Sequence, residues 1–189
     1  AQLNPLGRLL ILDRDPQAIQ CAQQLAQHDK CIIVRHTPFA ALKEQTDQLH
    51  WTGTVAGILF DLGVSSPQLD QKMRGFSFKQ DGPLDMRMDP SCGQSAAQWL
   101  AKAPEKVIAQ VLWLYGQERY YPIIAKKIIA LRRHTPLTTT QQLAQLVASI
   151  VPKKGLKHPA TKTFQAIRIH INQELEQLRL ALMQTDTVL

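Results

Sequence analysis

The hydrophobic positions change period twice along this chain, and the changes mark out its parts. Leu9, Leu10, Ile11 and Leu12 form a short apolar run that stops at Asp13-Arg14-Asp15-Pro16, after which Ala18, Ile19, Ala22 and Leu25 recur at helical spacing. Cys31, Ile32, Ile33 and Val34 make a second such run, closed by His36-Thr37-Pro38-Phe39, and residues 40–50 read as a helix leading to Trp51. A third run, Val55 to Phe60, stops at Asp61 and is followed by Gly63 and the Ser65-Ser66-Pro67 breaker. Short apolar runs that end abruptly in polar turns are buried parallel strands. Strand and helix units in alternation with short links predict an α/β fold with right-handed crossovers.

Residues 62–90 keep neither period. From Ser91 the spacing becomes helical: Ala96, Trp99 and Leu100; then Val107, Ile108, Val111, Leu112 and Tyr115 up to Gly116. A third helix is predicted from Pro122, with Ile123, Ile124, Ile128 and Ile129. A fourth, capped by Thr140, carries Leu143, Leu146, Val147 and Ile150. After a basic loop around Gly155, Phe164, Ile167, Ile171, Leu175, Leu178 and Leu182 predict one long helix that returns the chain to the sheet. These helices are too numerous for one crossover, so residues 70–159 are expected to be a loop plus an inserted helical subdomain, with 1–69 and 160–189 as a partial sheet core.

Charge sharpens this division. Residues 1–69 carry 5 Lys/Arg against 6 Asp/Glu, residues 70–170 carry 16 against 6, and residues 171–189 carry 1 against 3. The net +7 therefore resides in the middle, and no acidic residue lies between Glu118 and Glu174. A solvated helical face mixes signs, whereas a field of one sign points to a polyanion. Lys126, Lys127, Arg132, Arg133, Lys153, Lys154, Lys157, Lys162 and Arg168 are the candidate nucleic-acid contacts. Cys21, Cys31 and Cys92 are widely spaced and lie near no His at ligand spacing, so neither a disulfide framework nor a metal site is expected. No apolar run reaches the ~20 residues of a membrane span, and a cytoplasmic protein is expected.

Small molecules bind α/β sheets beyond the carboxyl ends of the strands. Asp13 and Asp61 stand at two such ends. An acid there can accept from both hydroxyls of a ribose; the competing reading, a plain helix cap, suits Asp15 better than Asp13. Phe39 follows a strand end, where it either joins the core or packs on a flat adenine. None of the nine glycines forms a Gly-x-Gly cradle.

The block Gly57–Pro90, including Gly-Pro-Leu-Asp-Met-Arg-Met-Asp over 82–89, together with Lys-His-Pro-Ala-Thr-Lys-Thr-Phe-Gln-Ala-Ile-Arg-Ile over 157–169, closely resembles the bacterial 16S ribosomal RNA (cytosine-N4) methyltransferase family. The resemblance runs over essentially the whole chain. It implies a Rossmann-like class I S-adenosylmethionine-dependent methyltransferase sheet, incomplete here, with an inserted α-helical subdomain. It further implies an enzyme that methylates the N4 amine of a cytosine in the decoding region of the RNA. S-adenosyl-L-methionine would be the methyl donor, and small-subunit ribosomal RNA or the assembling subunit the partner. Asp13, Phe39, Asp61 and Gln68 match positions that contact the donor. In that family a glycine cradle on an earlier strand precedes the position of Gly7, and further strands follow that of Leu189, so an internal fragment is expected, inactive by itself.

An exocyclic cytosine amine is a poor nucleophile, and an acceptor oxygen at the strand end would help localise its lone pair, a role open to Asp61. Amino-methyltransferases at large place a Pro-Pro-aromatic run after this acid. Leu62-Gly63-Val64 stands there instead, which disfavours DNA amino-methylation and leaves base stacking to Phe76 or Phe78, unless those rings only anchor their loop. A non-catalytic RNA-binding fragment is the third reading.

Overall fold

The computed structural model describes residues 7–153 and 155–189. Its elements in chain order are strand β1 (Leu9–Asp13), helix α1 (Pro16–His28), strand β2 (Ile32–His36), then helices α2 (Leu42–Gln48), α3 (Ser66–Asp70), α4 (Ala96–Lys102), α5 (Glu105–Gly116), α6 (Tyr121–Arg132), α7 (Thr140–Ala148), α8 (Thr161–Ile171) and α9 (Glu174–Val188). Single 3-10 turns occupy Phe39–Ala41 and Lys72–Arg74. The fold is mixed α/β, and the chain divides into two compact units: residues up to Asp61 with Glu174–Leu189, and Leu62–Gln173.

In the first unit β1 and β2 pair in parallel, in a register that sets Leu9 against Ile32 and Asp13 against His36. Helix α1 makes the crossover. Asp15 caps it by accepting from the Gln17 N–H, Pro16 sits in its first turn where no N–H is missed, and Ile19 and Ala22 bury its inner face. Helix α9 packs on α2 and the turn before it. The Gln184 side chain accepts from the Lys43 N–H (2.8 Å) and donates to Ala40 O (2.8 Å), and the Gly53 N–H donates to Val188 O (2.9 Å).

Two expectations fail here. Val55–Phe60 forms neither strand nor helix and joins no sheet among the described residues, and Leu59 is 93% exposed. A strand exists only through its ladder, and no neighbouring strand offers this run one. The long final helix is instead two helices. Gln173 takes a left-handed backbone (φ 51°), and Leu175 and Leu182, expected on the buried stripe, are about half exposed while Ala181 and Val188 are buried.

The second unit is built around the residues of helical period. Ile108, Leu112, Ile124, Ile128, Leu143, Val147 and Ile167 are fully buried in one core. Ser95 and Gln98 close a capping box at the start of α4. Thr139 and Gln142 do the same for α7, one residue earlier than the expected cap at Thr140. Thr140 is buried and instead accepts from the Gly82 N–H (3.2 Å), while its own N–H donates to Gly82 O (2.9 Å). Helices α5 and α8 approach so closely at Gly116 that an added Cβ would lie 2.6 Å from Lys162 O.

The segment between α3 and α4 has no periodic structure, yet it is ordered by specific bonds. Arg74, buried, donates to the carbonyls of Arg87 (3.3 Å) and Met88 (2.8 Å). Arg87 forks onto both oxygens of Asp85, each at 2.8 Å. Met86, fully buried, adopts a left-handed backbone (φ 64°), uncommon for a residue with a side chain. It is held there from α8: the Asn172 amide donates to Met86 O (2.7 Å) and accepts from the Met88 N–H (2.7 Å).

Candidate functional site

Asp13 ends β1, and the parallel register puts it beside His36 at the end of β2. The Thr37 N–H donates to Asp13 O (2.9 Å), and the His36 ring bonds Arg14 O (3.0 Å), so the two strand ends are tied into one rim. Pro38 then directs the chain into the turn that carries Phe39. The Phe39 ring meets Phe60 edge to face, with centroids 5.9 Å apart and planes at 74°. Phe60 directly precedes Asp61. Thus Asp13 and Phe39 follow adjacent strand ends, and the aromatic contact brings the segment ending in Asp61 to Phe39, although that segment makes no ladder.

The Asp13 carboxylate accepts the Asp15 N–H at 2.7 Å. It is half-buried, and desolvation by burial raises its pKa above the ordinary carboxylate value, against the lowering effect of that N–H. A half-buried carboxylate at a strand end keeps acceptor capacity beyond its backbone bonds and is suited to accept from a vicinal diol such as a ribose. Phe39 is partly exposed, so its ring is not sealed in the core. These features fit the nucleoside part of S-adenosylmethionine. Asp61 is exposed.

Gln68 lies in the second unit and is buried. Its side-chain oxygen accepts from the Ser65 N–H (3.0 Å) and its own N–H donates to Ser65 Oγ, the capping box of α3. The local sequence accounts for this: Ser-x-x-Gln opens a helix with Pro67 in its first turn.

The two rings considered for base stacking are packed. Phe76 is 6% exposed, with the Arg74 guanidinium 5.6 Å from its centroid. Phe78 sits between His158 (4.5 Å) and Phe164 (4.9 Å). Both anchor their loop.

Of the candidate nucleic-acid contacts, Lys126, Lys127, Arg133, Lys153 and Lys157 are exposed. Lys162 is exposed too, and its ammonium donates to Gln117 O (3.0 Å). Arg132 donates to Leu100 O (2.6 Å) and Ala103 O (2.7 Å), so part of its guanidinium closes the end of α4. Arg168 is half-buried on α8, and Lys154 lies outside the described residues. Sequence reasoning missed Phe60 and Asn172. The first carries no signal beyond its place before Asp61, and the second only that an Asn stands amid apolar helical positions. Among the described residues, no three His, Cys, Asp or Glu cluster to hold a metal, and no helix is long and apolar enough to cross a membrane.

Comparison with known proteins adds to this geometry. The model of the MraW methylase family matches residues 1–189. A protein of Alteromonas mediterranea named ribosomal RNA small subunit methyltransferase H is 53% identical over 99% of this chain and 60% of its own length. One of the same name from Xylella fastidiosa is 51% identical over 96% of this chain and 58% of its own length. The chain thus spans about three-fifths of the relatives it matches.

Proposed function

The chain belongs to the MraW methylase family, and on that premise we propose that it contributes the nucleoside-binding rim and an RNA-binding helical unit to a cytoplasmic enzyme. This enzyme methylates the N4 amine of a cytosine in the decoding region of 16S ribosomal RNA. In this reading β1 and β2 belong to a Rossmann-like sheet, and the helices of the second unit form an insert that meets the RNA. The observation that carries it is the rim itself: the Asp13–His36 register together with the Phe39–Phe60 contact. The names of the relatives and the unopposed positive charge from Arg119 to Arg168 support the substrate class.

S-adenosylmethionine, when bound, supplies a methyl group already activated on a sulfonium, so the protein needs to position and desolvate rather than perform strong acid or base chemistry. Asp13 holds the ribose hydroxyls. Phe39 covers one face of the adenine. Asp61 accepts a hydrogen bond from the exocyclic amine of a flipped cytosine and holds its lone pair toward the donor. Gln68 is a donor contact on the family resemblance alone, and Lys126, Lys127, Arg132, Arg133, Lys153, Lys154, Lys157, Lys162 and Arg168 supply the positive field for the RNA.

Calorimetry with S-adenosylmethionine and methylation of small ribosomal subunits test this, using the natural protein. Asp13→Ala removes an ionised acceptor and is expected to cost about 2 kcal/mol, about 30-fold in donor affinity. Donor binding should weaken as pH falls through the raised pKa of Asp13, because the protonated acid accepts less well. Asp61→Ala should depress turnover more than donor affinity. Unchanged turnover in Asp61→Ala, or unchanged affinity in Asp13→Ala, removes the site.

A further inference from the structure

The stacking group that neither Phe76 nor Phe78 supplies has a counterpart elsewhere in the helical unit. Trp113, on α5, is 54% exposed, although it carries the largest apolar side chain available. Its ring lies against that of Tyr121, which opens α6, with centroids 5.4 Å apart and planes at 44°. Single exposed apolar residues need no explanation, but an indole held in place by a second ring is a preset surface rather than a loose side chain. Trp99, by contrast, is 5% exposed within the core.

The surroundings say what the surface suits. Lys106 and Gln110 precede Trp113 by seven and three positions on α5 and share its helical face. Arg119 lies in the link between the two helices, and Lys126 and Lys127 occupy the exposed face of α6 with Ile123. Acidic groups are scarce. Glu118 is 2% exposed, with its carboxylate accepting from the Tyr120 N–H (3.0 Å), which leaves Glu105 at the start of α5. An exposed indole backed by a partly buried second ring, among unopposed cations, meets both needs of a single-stranded nucleic acid, a π-face for a base and positive charge for the flanking phosphates. A protein-docking face would be depleted of lysine.

We propose that Trp113, steadied by Tyr121 and flanked by Lys106, Arg119, Lys126 and Lys127, is a stacking platform for an unpaired base of RNA. This rests on the RNA-methylating reading above but concerns a different surface from the donor rim. The base it holds need not be the one methylated, and the platform's contribution is to capture an unpaired stretch of the substrate.

The test is fluorescence anisotropy of the purified protein with a labelled oligouridylate of about ten nucleotides, and with an abasic oligomer of the same length, at low salt. Trp113→Leu keeps an apolar side chain at an exposed position but removes the π-face. It is expected to weaken oligouridylate binding about fivefold or more and to leave abasic binding unchanged. Trp113→Phe is expected to restore most of the loss. The platform is overturned by Trp113→Leu binding as well as the native protein, or by equal losses on both oligomers. Absence of oligouridylate binding by the native protein overturns it too, as does sedimentation showing that Trp113 instead mediates self-association or holds another protein. Donor calorimetry, run in parallel on Asp13→Ala, reports on the other reading alone. Intact donor binding and subunit methylation with an inert Trp113 therefore sink the platform and leave the proposed function standing, and the reverse pattern does the opposite.

Discussion

Asn172 offers the sharpest test of how the aperiodic segment before α4 is held. Its side chain is 1% exposed and accepts from the Met88 N–H while donating to Met86 O, both at 2.7 Å; a further bond goes to Arg168 O (2.9 Å). Asn172→Leu keeps the approximate volume and removes all three. Arg168 O still receives the backbone N–H of residue 172 at 3.1 Å, so the loss falls on Met86 O and the Met88 N–H. Each orphaned group costs about 1–3 kcal/mol, giving about 2–6 kcal/mol in all. The result should be a fall in Tm of about 5 °C or more by circular dichroism, with a matching drop in urea midpoint. Asn172→Asp separates hydrogen bonding from packing. Its carboxylate can still accept from Met88 but repels Met86 O, so burial and that carbonyl should raise its folded pKa above the ~3.9 of the unfolded chain. A raised folded pKa means the native state binds the extra proton. The deficit relative to the native protein is therefore largest near neutral pH and shrinks as pH falls through the raised value, where the protonated acid can donate to Met86 O. A loss under about 0.5 kcal/mol for Asn172→Leu, or an Asn172→Asp deficit independent of pH, would refute this account.

Two further outcomes probe the helical core. At Gly116 an added methyl would lie 2.6 Å from Lys162 O and 3.0 Å from the Ala166 Cβ. Gly116→Ala is accordingly expected to lower stability by about 1 kcal/mol or more in urea unfolding, despite the better helix propensity of Ala. His170, half-buried between Trp99 (4.6 Å) and Tyr115 (6.4 Å), has its pKa pushed below the ordinary histidine value by desolvation. The unfolded chain then takes up the proton first, so stability present above about pH 6.5 is lost as pH falls toward the folded pKa. His170→Gln should flatten that part of the stability profile, and an unchanged profile would show that the ring titrates freely.

What the sequence determines by itself is local. The apolar runs at Leu9–Leu12 and Ile32–Val34, the Pro16 start of α1, and the apolar positions of α4 to α7 specify elements through periodicity and caps that act within a few residues, and the structure carries them at those places. The positively charged middle of the chain is likewise plain in composition, as is the pairing of Asp13 with a strand end. Tertiary structure decides everything that depends on a neighbour. Val55–Phe60 has the composition of a strand, yet no adjoining ladder makes it one. The apolar stripe from Phe164 to Leu182 has one helical period, yet Asn172 is drawn to Met86 and Met88 and Gln173 turns left-handed, so two helices result. Phe76 and Trp113 are both large aromatic residues. One is sealed in the core and the other stands in solvent, because burial is a property of what packs around a residue and not of the residue itself.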